Sequence, residues 1–200
     1  MTSPEPAAIV LAGGRASRLG GADKPQLVVD GATLLDHAVH AVSWCAPIIV
    51  VGPPAPVRTD VIWARESPPF GGPVAAIAAG LAHVDRDEVC ILAADIPRAV
   101  DAVGLLRRQP SADVDGSCLA DATGAAQWLV GRYRTAALRT ALDALPDAGH
   151  DASIRSLVAG LRLDLVDAGD LAADVDTWDD LERARARPAT AGSPTDEEDT

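Results

Sequence analysis

Lysine is nearly missing from this chain of 200 residues: of 17 basic residues all but one are arginine, and Lys24 is the single exception. Aromatic residues are almost as scarce at 3%, so a core has to be assembled from Ala, Val, Leu and Ile within the 48% that is hydrophobic. Basic charge is short too. A net charge of -12 and a pI near 4.6 exclude the extended basic face that nucleic-acid backbone binding requires. The three cysteines, Cys45, Cys90 and Cys118, are odd in number and widely spaced with no Cys-x-x-Cys, which excludes a disulfide framework and gives no zinc signature. Unbroken apolar runs are absent as well. The uncharged stretch 67–84 has the length of a membrane span, but Pro68, Pro69, Gly71, Gly72 and Pro73 interrupt it and leave about twelve helical residues. The first residues are polar and Pro-containing, without a signal-peptide pattern. These absences predict one globular domain over residues 7–186, cytoplasmic, monomeric or weakly self-associating, with no nucleic-acid or membrane partner. Residues 1–6 and the acidic tail 187–200 have too little apolar surface to bury and are expected to be disordered.

What the chain does contain is an alternation of short apolar runs and helical patterns. Ala7–Leu11, Pro47–Val51, Val61–Ala64 and Glu88–Ala94 read as buried strands. Between them, Thr33 and Asp36 have the spacing of a helix start that reaches about Cys45, and Pro73 opens a small-residue helix through Val84. Strand, helix, strand, helix in this order predicts an α/β, doubly wound, three-layer Rossmann-like fold with a mostly parallel central sheet. The second half adds extended segments at 113–120 and 126–133 around a turn at 121–124. Helices are expected at 135–145 and 151–159, a last strand at 161–166, and a final helix at 177–185 with Thr177 and Asp180 as its cap pair.

The chemistry concentrates at strand ends. After Ala7–Leu11 the chain breaks at Gly13-Gly14, where glycines allow a tight turn and let backbone N–H groups approach an anion. Arg15, Arg18 and Lys24 then bring positive charge to one spot of an acidic protein, which suits a polyphosphate; a solvated strand-to-loop turn is the plainer alternative. Lys24 suits a phosphate oxygen because an ammonium is a compact point charge, whereas a guanidinium is a planar fork. Asp95 ends an apolar strand and precedes Ile96-Pro97. Two readings are open for it, a cap on a helix starting near Arg98 or a ligand for a hard divalent cation shared with substrate phosphate. Asp176 stands in a solvated acidic helix start, where the helix dipole favours carboxylates. Glu66 lies in a Pro/Gly-rich loop that needs no ligand of its own. Trp128, in an apolar strand beside Gln127, is either core or a stacking surface for a planar heterocycle. His37, His40, His83 and His150 are scattered singly and show no ligand spacing.

The run Leu11-Ala12-Gly13-Gly14-Arg15-Ala16-Ser17-Arg18-Leu19-Gly20-Gly21-Ala22-Asp23-Lys24 meets every fixed position of the signature L-A-G-G-x-x-x-R-[ML]-G-x-x-D-K. On this run the chain resembles the molybdenum cofactor guanylyltransferases, MobA-like nucleotidyltransferases, and the likeness extends over about residues 7–186. The resemblance implies transfer of GMP from GTP to molybdenum-bound molybdopterin, with Mg²⁺ as cofactor and pyrophosphate released. It implies nucleotide binding by Leu11, Ala12, Gly13, Gly14, Lys24, Glu66 and Asp95, and catalytic roles for Arg18, Lys24 and Asp95. It also implies metal binding by Asp95, in a D-x-P motif, and by Asp176, where many relatives carry Asn. Gln127 and Trp128 align with a segment that faces the pterin acceptor, replacing a common His-Pro pair. Leu-Ala-Gly-Gly favours guanine, since relatives that prefer cytosine tend to read Leu-Ala-Ala-Gly. A cytidylyltransferase, a nucleotidyltransferase with another phosphorylated acceptor, and a non-catalytic nucleotide-binding module are the competing readings.

Overall fold

A computed structural model describes residues 5–13 and 23–186. Gly14, Arg15, Arg18 and the rest of the loop to Ala22 lie outside the described residues, as do residues 1–4 and the tail from residue 187. Nine strands and six α-helices are described, in the order β1 (Ala7–Leu11), β2 (Val28–Val29), β3 (Ala32–Thr33), α1 (Leu34–Ala41), β4 (Ile48–Val51), β5 (Ile62–Ala64), α2 (Gly72–Leu81), β6 (Glu88–Ala93), α3 (Ala99–Gly104), β7 (Gly116–Asp121), β8 (Ala126–Arg134), α4 (Thr135–Asp143), α5 (Ile154–Val158), β9 (Leu163–Gly169) and α6 (Trp178–Ala186). The large sheet has the order β5-β4-β1-β6-β8-β7-β9. Only β8 runs against its neighbours; β7 and β9 are parallel to each other, as are β5, β4, β1 and β6.

The unbroken hydrophobicity of β1 follows from two separate cores. Ala8 and Val10 face one core, shared with Leu35, Val39, Ala102 and Val103 of α1 and α3, while Ala7, Ile9 and Leu11 face another, shared with Val74 and Ile77 of α2 and Leu138 of α4. A strand covered on both faces has no polar side to alternate with. β4 and β6 divide in the same way: Ile48, Val50, Cys90 and Leu92 point to the first core, and Ile49, Val51, Val89 and Ile91 to the second. The small residues of α2 let it lie close to the sheet. A Cβ on Gly80 would stand 2.8 Å from Ile9 Cγ2, so only glycine admits this helix at this depth.

From β1 the chain moves outward through β4 and β5, then returns across β1 to form β6 on its other side. That reversal makes a topological switch point, with a crevice beyond the carboxyl ends of β1 and β6 where open α/β sheets bind ligands. Backbone bonds carry the order past the strand ends: Ala12 N–H donates to the Val51 carbonyl at 2.9 Å, and Ala94 N–H donates to the Leu11 carbonyl at 3.0 Å.

Several helix ends differ from the sequence reading. α1 stops at Ala41 and not near Cys45, because the Trp44 indole N–H takes the Ala41 carbonyl and Cys45 N–H turns back to Val42. α2 closes at Leu81 through short-range bonds from His83 to Gly80 and from Val84 to Leu81. α5 starts at Ile154, with Ser153 Oγ accepting from Ser156 N–H, because Asp151 is in the left-handed region at φ 56° and cannot begin a helix. Among the described residues no helix is long and apolar enough to cross a membrane.

Candidate active site at the switch point

Asp95 leaves the sheet two residues beyond β6, between Ala94 and Ile96, both buried. Of its two open readings the helix cap is not the one found. α3 takes Arg98 as its N-cap with no side-chain cap bond, and Asp95 Oδ2 instead accepts from Lys24 Nζ at 2.7 Å. The same ammonium donates to Asp176 Oδ1 at 2.8 Å. Lys24, Asp95 and Asp176 are separated by up to 152 positions in sequence, and the fold brings all three together.

Asp176 arrives through a short extended segment after β9. Val175 is buried against Val29, Leu34 and Leu181, and its N–H donates to the Asp95 carbonyl at 3.0 Å. In extended backbone alternate side chains face the same way, so burying Val175 turns Asp174 and Asp176 together toward Asp95. One carboxylate oxygen from each of Asp95, Asp174 and Asp176 lies within 4.8 Å of the other two. Asp174 is the site residue that sequence reasoning missed. The signal that finds it is the Asp-Val-Asp alternation, in which the apolar residue fixes the face of both neighbours.

Asp174 is exposed as a residue, but partial desolvation of its carboxyl, then repulsion from Asp95 and Asp176, raises it above the ordinary carboxylate range. Burial works against the charge on Lys24, but hydrogen bonds and attraction from Asp176 and Asp95 outweigh it and hold its pKa above the ordinary lysine value. Just beyond, Asp180 accepts from the Thr177 hydroxyl and from the N–H groups of Thr177 and Asp176, which lowers its carboxyl to about 2. This is the expected Thr177/Asp180 cap pair of α6, and it fixes the backbone of Asp176.

Leu11, Ala12 and Gly13 form the rim on the β1 side. A Cβ on Gly52 would stand 2.7 Å from the Ala12 carbonyl oxygen, so glycine there lets the turn after β4 press against this loop. Glu66 is engaged locally: its Oε1 accepts from Phe70 N–H at 3.0 Å and closes the loop before α2, with Phe70 at φ 68°. Gln127 and Trp128 lie near the start of β8, on the far side of a register break in the β7–β8 ladder, where Cys118 pairs with Gly131 and Leu119 with Gln127. Gln127 Nε2 donates to Asp121 Oδ2 at 2.8 Å, and Trp128 is half-buried against the second core.

Oxygen donors alone, three carboxylates and no thiolate or imidazole, are the chemistry of a hard divalent cation. The Lys24 ammonium is a monovalent stand-in between two of them. Ligands of Mg²⁺ at about 2.1 Å lie roughly 3 to 4 Å apart, so a small contraction of the trio matches such an ion. The residues present therefore fit the metal that the resemblance implies.

A Rossmann-like switch point carrying an acidic trio and a lysine defines a nucleotidyltransferase-type α/β domain. Residues 8–166 match the MobA-like NTP transferase domain, and the chain belongs to that family. It is 33% identical over 141 residues to a probable molybdenum cofactor guanylyltransferase of Synechococcus elongatus, covering 65% of this chain and 72% of that one. It is also 33% identical to the molybdenum cofactor guanylyltransferase of a Bradyrhizobium species, over 58% of this chain and 56% of the relative. For the first several curated relatives the chain spans only about half their length, 48% for that of Vibrio cholerae. Among solved structures, molybdopterin-guanine dinucleotide biosynthesis protein A of Archaeoglobus fulgidus superposes with a TM-score of 0.66 at 18% identity, covering 90% of this chain and 96% of that one. The 2-C-methyl-D-erythritol 4-phosphate cytidylyltransferase of Thermus thermophilus does so at 0.66 and 20%, covering 91% and 98%. At these identities the structures establish the shared fold.

Proposed function

We propose that the chain transfers GMP from GTP to the terminal phosphate of a molybdopterin-type acceptor, releasing pyrophosphate. The observation that carries this reading is the meeting of Lys24 with Asp95 and Asp176 at the carboxyl rim of β1 and β6. The guanine assignment is supported by the names of the relatives above and by Leu-Ala-Gly-Gly at the end of β1.

An oxygen of the acceptor phosphate attacks the α-phosphorus of the nucleotide in line. The bond from that phosphorus to the bridging oxygen of the β-phosphate breaks, and the electron pair leaves with pyrophosphate. Little covalent work falls to the protein, so its contribution is positioning and electrostatic stabilisation. Leu11, Ala12, Gly13 and Gly14 hold the nucleotide, and Lys24 with Arg18 offsets the charge that grows on the departing pyrophosphate. Asp95, Asp176 and Asp174 would hold Mg²⁺. That ion, when bound, neutralises phosphate charge and polarises the reacting phosphoryl group. Glu66, which ties down the loop before α2 through Phe70 N–H, contributes to nucleotide binding. Gln127 and Trp128, near the start of β8, face the acceptor.

Each of the four NTPs, supplied with Mg²⁺ and molybdopterin, tests the assignment by pyrophosphate release and dinucleotide product. GTP-selective turnover is expected. A preference for CTP would move the chain to cytidylyl transfer, and nucleotide binding without pyrophosphate from any NTP would make it a binding module.

A further inference from the structure

The ammonium of Lys24 stands where a divalent cation would stand. It donates to Asp95 Oδ2 at 2.7 Å and to Asp176 Oδ1 at 2.8 Å, with the lysine side chain only 17% exposed. Asp174 brings a third carboxylate oxygen to within 4.8 Å of the other two. The oxygens that face the ammonium are the ones a hard cation needs. Its N···O distances exceed the roughly 2.1 Å of a Mg²⁺ ligand, so the carboxylates cannot contract around a metal while it stays. Two cations in one carboxylate cage would also repel. The base of the side chain is fixed, since Lys24 opens the short turn Lys24–Gln26 with Pro25 as its second residue. Its ammonium is a point charge on a flexible four-carbon stem, which can pass from carboxylate to phosphate oxygens without the planar geometry that a guanidinium requires.

We infer that Lys24 is an internal counter-cation that competes with the divalent metal for Asp95 and Asp176, and that nucleotide polyphosphate opens the metal site by drawing the ammonium off. The inference rests on the reading of Asp95 and Asp176 as metal ligands. It adds an order of events. Without nucleotide, Lys24 neutralises the carboxylates and keeps them together, so free metal binds poorly. With nucleotide, the lysine transfers to phosphate oxygens, and the vacated carboxylates accept the metal beside the group that reacts. One residue thereby couples occupancy of the two subsites, and the protein does not fill with metal in the absence of substrate.

Mn²⁺ titrations without nucleotide, read by electron paramagnetic resonance, test this on wild type, Lys24→Met and Asp95→Asn. Removing the ammonium should tighten Mn²⁺ binding by about tenfold or more, the factor that corresponds to losing one competing charged hydrogen-bond partner. Lys24→Met should melt below wild type without metal and recover with Mn²⁺ at a concentration that leaves wild type unchanged. Should Lys24→Met fail to fold, wild type supplies its own readout. Lys24 is the only lysine, so ¹³Cε-lysine labelling gives a single side-chain NMR signal, which should shift when metal-free GTP or saturating Mg²⁺ releases it from the carboxylates. Equal Mn²⁺ affinity in wild type and Lys24→Met, or a Lys24 signal that stays fixed while metal binds, overturns the competition and leaves the metal site standing. Mn²⁺ binding that is absent from all three proteins, or unchanged in Asp95→Asn, overturns the metal reading beneath it.

Discussion

Replacing Asp95 with Asn keeps the shape of the side chain and one carbonyl oxygen, and removes a single charge from the centre of the site. With all three carboxylates ionised, Asp95, Asp174 and Asp176 against Lys24 leave two net negative charges. Asp95→Asn halves that charge. The amide oxygen still accepts from Lys24, and the backbone bond from Val175 N–H to the residue 95 carbonyl is untouched, so the Asp174–Asp176 segment keeps its place. Repulsion between Asp95 and Asp174 falls at the same time, so folding should lose no more than about 1 kcal/mol, the scale of a partly exposed ion pair. Turnover is a different matter. A preorganised charge aimed at a reacting phosphoryl group is worth about 2.7–4 kcal/mol, so kcat should fall by roughly 10²–10³. Steady-state pyrophosphate release gives kcat, equilibrium dialysis with GTP gives nucleotide affinity, and thermal melting gives stability. Loss confined to kcat is expected. A variant that retains wild-type turnover, or one that loses turnover only because it has unfolded, would refute the assignment of Asp95 to the reacting centre.

Asp176→Asn should cost much less in turnover than Asp95→Asn, because the resemblance places Asn at position 176 in many relatives, where its amide oxygen ligates a hard cation; equal losses in a pyrophosphate assay would show that the two positions do the same work. Gly80→Val should destabilise the fold by about 1–3 kcal/mol in urea unfolding, since even its Cβ falls 2.8 Å from Ile9 Cγ2, and an unchanged midpoint would mean that α2 can lift from the sheet freely. Arg132→Met should cost about 3–5 kcal/mol by the same assay. It leaves buried Glu88, which Arg132 Nε meets at 2.7 Å, with only the Gln109 amide, and adding Glu88→Gln should recover part of that loss. Asp180, lowered to about 2 in the folded protein, contributes stability that is present above its unfolded pKa of about 3.9 and is lost as pH falls through about 2. Acid melts of Asp180→Asn should therefore show a flatter fall over that window than wild type, and parallel curves would discount the cap.

Sequence alone determined the fold class, because hydrophobic period is a local property. The continuous apolar runs at β1, β4 and β6 signal strands covered on both faces, Thr33 and Thr177 mark helix starts whose cap chemistry lies within three residues, and Pro73 stands in the first turn of α2. The lone lysine and the glycine-rich turn also marked one end of the site, since composition makes Lys24 conspicuous. Where α1 and α5 end or begin was not legible, because a side-chain bond from Trp44 and a left-handed Asp151 decide it. Nor was the choice between capping and cluster for Asp95, which depends on a lysine 71 positions away. Asp174 stayed hidden for a related reason. Its orientation is set by the burial of Val175 against Leu34 and Leu181, a contact that exists only once α1 and α6 pack together. A sequence displays which side chains can carry charge or bury surface; which of them share one cage of a few ångströms is fixed by the packing of segments that the chain itself keeps far apart.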